Sequence, residues 1–277
     1  MKRTFRYKRG YCNIKEEAIL FFFIPLEATF PSCHYRHIIT YQIKEIYGGI
    51  KLKATYNQPN KFRLEKQGVG ANRVLDPYKP MVALTFDDGP SPLYTPVILD
   101  VLDEHNSAAT FFVLGTEADR NRELLAEIIQ RGNEIGNHSL NHRDFTKLSI
   151  EELNYQINTT QDIIEEATGY APLVLRTPYG FVNVDLMKEL HMPVILWSLD
   201  TRDWESRDPE KIYDEVFENV KDGDIILMHD IYESSAEAVK QIIPELIERG
   251  FQVVSVSELS RLREVPLQAG NIYSNLY

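Results

Sequence analysis

Apolar and polar positions change rhythm near residue 80. Beyond it, short apolar runs alternate with longer stretches whose apolar residues recur at helical spacing. The runs at 81–86, 108–113, 134–137, 173–176, 194–198, 224–228 and 252–256 predict strands. The stretches at 95–104, 122–131, 150–167, 184–190, 209–219 and 235–249 predict helices. Thr168-Gly169 ends the longest of these, whose charged positions predict a solvated face. Alternation of this kind implies parallel strands joined by crossover helices. Seven strands rather than eight predict a distorted (β/α) barrel. An open doubly wound sheet is the alternative.

Before residue 80 the pattern is mixed strand and turn. Residues 41–56 are rich in Ile and Tyr, and Gly48-Gly49 predicts a hairpin turn. Residues 1–79 thus read as a small β-rich or irregular extension, 80–262 as the main domain, and 263–277 as a carboxyl-terminal tail. The run Ala18-Ile19-Leu20-Phe21-Phe22-Phe23-Ile24-Pro25-Leu26 follows a basic flank of Lys2, Arg3, Arg6, Lys8 and Arg9. It is too short to span a bilayer. An export signal or membrane-proximal segment and a buried strand are its two readings.

Charge sharpens the division. The net charge of -11 is unevenly spread. Residues 1–80 hold fifteen Lys/Arg against six Asp/Glu, and the rest fifteen against thirty-five. The main domain therefore lacks the overall basicity of a nucleic-acid binder. Cys12 and Cys33, the two cysteines, lie in the extension, so no disulfide holds the main domain. His34 and His37 there lack partners and read as ordinary surface or packing residues.

Candidate chemistry gathers at the carboxyl ends of the predicted strands. Asp87 and Asp88 follow the first, in Thr85-Phe86-Asp87-Asp88-Gly89-Pro90. His138 and His142 follow the third, Arg176 ends the fourth, Asp200 and Asp203 follow the fifth, and His229 ends the sixth. In a β/α barrel these ends share the catalytic face. A Gly-Pro turn lets the two carboxylates point differently, one toward a metal and one toward a water proton. On one helical turn, His138 and His142 would face the same way. Two imidazoles and a carboxylate suit zinc or another borderline divalent metal. The plain readings are a solvated turn for the aspartates, a core aromatic for Trp204 and a buried strand residue for Leu227. His105 and His191 read as helix-end residues, and Asp230 as a loop carboxylate beside His229.

Five ordered segments resemble the polysaccharide deacetylase family, the NodB-like carbohydrate esterases of family 4. They are Thr85 to Pro90, His138-Ser139-Leu140-Asn141-His142, Arg176-Thr177-Pro178-Tyr179, Asp200-Thr201-Arg202-Asp203-Trp204 and Leu227-Met228-His229. The resemblance covers residues 80–262. It implies a distorted barrel and removal of N- or O-acetyl groups from sugars. It implies that Asp87 is the general base acting on metal-bound water, and that Asp88, His138 and His142 hold the metal. Arg176 would pair with the base, and the Tyr179 backbone N–H would help hold the oxyanion. Asp203 would orient His229, the general acid that protonates the leaving amine. Trp204 and Leu227 would line the acetyl pocket, and Asp200 would be structural. The implied cofactor is one divalent metal, Zn2+ first and Co2+ or another transition metal next.

The expected function is metal-dependent N-deacetylation of a cell-envelope polysaccharide, peptidoglycan N-acetylglucosamine first. N-acetylmuramic acid, chitin oligomers and O-acetylated xylan are the other substrates considered. A non-sugar amide hydrolase and a carbohydrate-binding protein with a structural metal are the other function classes. The expected location is the cell surface or outside, with peripheral membrane association through the basic terminus; a cytoplasmic place is the alternative. The expected partner is an acetylated polysaccharide and not nucleic acid.

Overall fold

The computed structural model describes residues 73–277 and, ahead of them, the backbone of four strands. The chain divides into two compact units, Met1–Arg63 and Leu64–Tyr277. In the first, β1 (Arg3–Tyr7) pairs antiparallel with β2 (Gly10–Ile14), and β3 (Ile39–Ile46) with β4 (Gly49–Tyr56). The second pairing places a hairpin where the Ile- and Tyr-rich stretch predicted one. The apolar run at 18–26, Cys33, His34 and His37 lie outside the described residues.

The second unit is built on β5 (Met81–Asp87), every residue of which is buried. A strand covered on both faces tolerates apolar residues at successive positions, which explains the unbroken run Met81 to Leu84. The chain then runs through α1 (Thr95–Glu104), β6 (Thr110–Val113), α2 (Gly115–Arg120), α3 (Arg122–Gln130) and β7 (Glu134–Asn137). Next come α4 (Ile150–Thr168), α5 (Val184–Glu189), β8 (Val194–Ile195), β9 (Leu199–Asp200), α6 (Asp203–Ser206) and α7 (Pro209–Asn219). β10 (Ile225–His229), α8 (Glu233–Glu248), β11 (Gln252–Val254), α9 (Val256–Leu262) and β12 (Ile272–Tyr273) complete it. The strand order is β7-β6-β5-β10-β9, all parallel, with β11 also paired to β5. Helices cover the outer face, where Phe86, Ile98, Leu125, Val239 and Ile242 belong to one buried cluster.

The barrel is irregular where two expected strands shrink. The run at 173–176 reduces to bridges from Leu175 to Asn137 and to Val194. Pro172 and Pro178 flank it and cannot donate to a ladder. The run at 194–198 becomes β8, and the chain then steps across to β9 beside β10. Residues set apart by sequence as a tail enter this gap. β12 pairs with β8, and Asn275 bridges Asp224 at the foot of β10. The run at 252–256 is likewise cut at Val254, because Ser255 caps α9 in a reciprocal box with Glu258. The same device opens α4, where Ser149 and Glu152 cap each other; Gly169, at φ 77°, closes it.

Candidate active site

The last inward position of β5 is Asp87. Residues two apart on a strand share a face, so Thr85 and Asp87 point inward together while Phe86 packs outward. Arg176, wholly buried, gives one guanidinium nitrogen, Nη1, to both Thr85 Oγ1 and Asp87 Oδ1, each at 2.8 Å. Its Nε and Nη2 reach the carbonyls of Ile195 and Leu196 at 2.9 and 3.0 Å. The guanidinium carbon lies 4.2 Å over the Phe112 ring. Phe112 in turn lies against Gly136, where a Cβ would come within 2.4 Å of the ring. Asp87 is thus gripped through Oδ1, and its Oδ2 faces His138 Nε2 at 3.6 Å.

Asp88 turns back toward the same mouth because it adopts the left-handed conformation, φ 74°. The following turn is packed on Asp230, and a Cβ at Gly89 would fall 2.2 Å from Asp230 Oδ1. Thr95 Oγ1 donates to Asp230 Oδ2 and accepts from the Ser91 N–H, so the turn is tied to its floor. Burial pushes the Asp230 carboxyl up to about 7, against the opposing Thr95 bond.

The two histidines do not share a helical turn, contrary to the sequence expectation. His138 to His142 form a loop in which Ser139 and His142 have φ of 77° and 61°. Side chains hold it instead of helical hydrogen bonds. Asn137 Oδ1 accepts from Ser139 N, Ser139 Oγ from His142 N, and Gln156 Oε1 from the N–H groups of Leu140 and Asn141. Backbone with left-handed residues still brings the rings together, their centroids 5.0 Å apart. The His138 Nδ1–H donates to the Arg176 carbonyl at 2.9 Å, which leaves the Nε2 lone pair pointing into the site. Burial, and then the neighbouring His138, hold the His142 imidazole below its ordinary value against the pull of Asp88.

Asp88 Oδ1 lies 3.5 Å from both His138 Nε2 and His142 Nε2. A tetrahedral zinc site with bonds of about 2.1 Å has ligand edges of about 3.4 Å. Asp88 Oδ1 is also buried and has no hydrogen-bond partner. An orphaned carboxylate oxygen facing two imidazole nitrogens is the arrangement a divalent cation satisfies. The residues therefore fit a divalent metal. Among the described residues, Asp88, His138 and His142 are the group that brings ligand atoms this close, within 4.8 Å of one another.

Across the mouth, β10 ends at His229, the register partner of Asp87. Asp203, fully buried, accepts from the His229 ring Nδ1–H at 2.8 Å and from the His229 backbone N–H at 2.7 Å. Ser235 Oγ and Trp204 N also donate to it. Burial opposes charge on His229, but the Asp203 bond and charge outweigh it and raise the ring to about 9. Leu227 is buried on β10 opposite Thr85, on the inward-facing register. Trp204 is 47% exposed, so it is not the core aromatic of its plain reading. Asp200 accepts from Arg202 N and shapes a turn. Tyr179, at φ 62°, sets its exposed ring 4.4 Å from that of His142 and beside Phe181. His105 caps the end of α1.

Sequence reasoning gave no role to Thr85, Ser235 or Phe112. Thr85 carried a signal, two positions before Asp87 on one strand. Ser235 and Phe112 carried none, because each meets its partner only through tertiary packing.

Known proteins resemble this chain in sequence and fold. The family model described as polysaccharide deacetylase matches residues 75–194. The peptidoglycan-N-acetylmuramic acid deacetylase PdaC of Bacillus subtilis is 45% identical over 190 residues, 69% of this chain and 41% of its own. The peptidoglycan-N-acetylglucosamine deacetylase PgdA of Listeria monocytogenes is 41% identical over 64% of this chain and 38% of its own. The chain thus spans about two fifths of these curated relatives. The solved PdaC structure superposes with a TM-score of 0.67, covering 69% of this chain and 94% of that one. A family 4 acetyl xylan esterase from Clostridium thermocellum, solved with cobalt, gives 0.68 at 32% identity, covering 71% and 98%. By motif order, fold and these matches, the chain belongs to the polysaccharide deacetylase family.

Proposed function

We propose that this protein is a divalent-metal-dependent deacetylase of peptidoglycan amino sugars, acting on N-acetylglucosamine or N-acetylmuramic acid. One observation carries the reading: a buried base and a partly buried, carboxylate-backed acid stand opposite each other beside the three-ligand site. A structural metal in a binding protein would need no such pair. The named activities of PdaC and PgdA support the choice of polymer.

An amide is a poor electrophile with a poor leaving group. The metal held by Asp88, His138 and His142 would supply Lewis acidity toward the acetyl carbonyl and a lowered pKa for water. Zn2+ suits the two nitrogens and one oxygen, and Co2+ is the nearest substitute. Asp87 Oδ2 takes the water proton, since Oδ1 is occupied by Arg176. Arg176 fixes the orientation of that carboxylate. Asp203 favours the charged ring, so His229 carries a proton on Nε2 as well as the Nδ1–H given to Asp203, and delivers the former to the departing nitrogen. The Tyr179 N–H supports the oxyanion. Leu227 and Trp204 form the walls around the acetyl methyl, one buried and one at the mouth.

No helix among the described residues is long and apolar enough to cross a membrane. We place the enzyme at the cell surface because its proposed substrate lies there, with the basic terminus near the anionic envelope.

The test is acetate release by metal-loaded protein from peptidoglycan fragments, chitin oligomers, acetylated xylan and non-sugar amides, with product mapping. Release from peptidoglycan amino sugars is expected to dominate. Dominant release from xylan or a non-sugar amide would overturn the substrate. Metal-dependent binding without turnover would overturn the enzyme.

A further inference from the structure

A cavity of about 470 Å³ opens beside Tyr232, the aromatic neighbour of His229. Tyr94, Arg207, Tyr232, Glu233, Ser234 and Glu237 line it. Its link to the acid is direct, because the rings of Tyr232 and His229 are 5.7 Å apart. Arg207 lies over Tyr232, its guanidinium carbon 3.1 Å from the ring centroid, and also hydrogen-bonds that side chain. Its Nε donates to the Trp204 carbonyl. No carboxylate pairs with Arg207 among the described residues. Neighbouring acids are engaged elsewhere, Glu237 with Lys240 and Asp208 with Lys211.

A guanidinium held over an aromatic ring presents its remaining N–H groups beside the ring as a positioned fork. That geometry matches a carboxylate, and charge-assisted pairing makes it stronger than a bond to a sugar hydroxyl. The position limits what the carboxylate can belong to. Arg207, Trp204 and Asp203 sit on one short stretch, so the fork is held a few residues from the group that orients the acid. With His229 serving the acetamido nitrogen, as proposed, a substituent on the neighbouring sugar carbon is what this fork would meet. Of the two amino sugars in peptidoglycan, only N-acetylmuramic acid bears an acidic one, its 3-O-lactyl group or a peptide attached to that group. Glu233 opposes this, since it is the carboxylate of the lining with no ion-pair partner among the described residues. That opposition makes the idea testable from two sides.

We infer that the Arg207–Tyr232 cavity is a carboxylate subsite that selects lactyl-bearing N-acetyl sugars over neutral ones. The inference rests on the proposed deacetylase reading and names the substrate class for it.

The experiment uses the metal-loaded full chain and three matched glycan strands. One has free lactyl carboxylates, one has them converted to primary amides, and one carries stem peptides. Acetate release from the muramoyl residue gives kcat/KM for each. A preference of about tenfold for a carboxylate-bearing strand over the amidated strand is expected, the size of one charged hydrogen-bonded contact. Arg207→Gln is expected to abolish that ratio through KM, and Glu233→Gln to raise it. A preference confined to the peptide-bearing strand, and lost in Arg207→Gln, supports the subsite and assigns the carboxylate to the peptide. Equal rates on all three strands overturn it. So does a ratio that survives Arg207→Gln while every rate falls, which would make Arg207 a brace for the Trp204 turn. If no strand is turned over, the deacetylase reading fails, and calorimetric binding of the same strands still decides the subsite, equal affinities overturning it.

Discussion

Asp87 and His229 are register partners on adjacent parallel strands, β5 and β10. Each has one atom tied down by a buried partner, Asp87 Oδ1 by Arg176 and His229 Nδ1 by Asp203. The other atoms, Oδ2 and Nε2, belong to neighbouring positions at the carboxyl end of the sheet. The two groups proposed to move protons are thereby set by strand pairing rather than by loop conformation.

Asp87→Asn and His229→Ala are each expected to lower turnover by about 10²- to 10⁴-fold, the usual range for a positioned acid or base. Metal content, measured by elemental analysis of the purified variants, should stay near that of the wild type. A variant of Asp87 that loses its metal would make Asp87 a ligand instead of the base.

Removing metal with a chelator is expected to abolish acetate release, and Zn2+ or Co2+ to restore it. Asp88→Ala and His142→Ala should weaken metal binding far more than Gln156→Ala, which only loosens the loop carrying His142. For that outer contact a loss of about 10- to 100-fold in affinity is expected. Calorimetric titration of Zn2+ measures all three.

The His229 ring is raised from 6.5 to about 9 in the folded protein. A raised cation binds its proton more tightly when folded, so its stabilisation is complete below about 6.5 and disappears as pH rises through about 9. Activity that needs the protonated ring falls over the same upper limb, which a bound divalent cation draws lower. Asp203→Asn removes the bond and charge that hold the value up. Its kcat/KM profile should lose activity at least one pH unit below the wild type. An unmoved upper limb would remove Asp203 from this role.

Asp230 is expected to govern stability in the opposite chemical sense, as a neutral acid. Its folded value of about 7 lies above the ordinary 3.8, so the protonated form stabilises below 3.8 and that contribution is lost as pH rises through about 7. Above pH 7 a charged carboxylate is buried beneath Gly89 with Oδ1 unpartnered. Asp230→Asn keeps the shape without the charge. In metal-free protein it should melt a few degrees above the wild type at pH 8, with the difference vanishing toward pH 4. A lower melting temperature at pH 8 would contradict this.

The strongly periodic parts of the fold were legible in the sequence. α1 and α7 lie at the residues their patterns predict, because burial of one face fixed their spacing, and β7 lies at its predicted residues as a strand buried throughout. The short run at 173–176 was not, since its partners are single residues from distant segments. Nor was the use of β12 in the wall, because two residues carry no period. In the site, residue types were readable and conformations were not. His138 and His142 have the spacing of a helical turn, but Asn137, Ser139 and Gln156 satisfy their loop's backbone with side chains. Such competition between side chain and backbone leaves no trace in periodicity.

Gly136 and Phe112 give the site an apolar control far from its chemistry. A methyl group at Gly136 would press on the Phe112 ring, and that ring underlies the guanidinium that grips Asp87. The aim of the base is therefore written partly in hydrocarbon volume. A Gly136→Ala change would therefore act on Asp87 while every polar residue of the site stays in place.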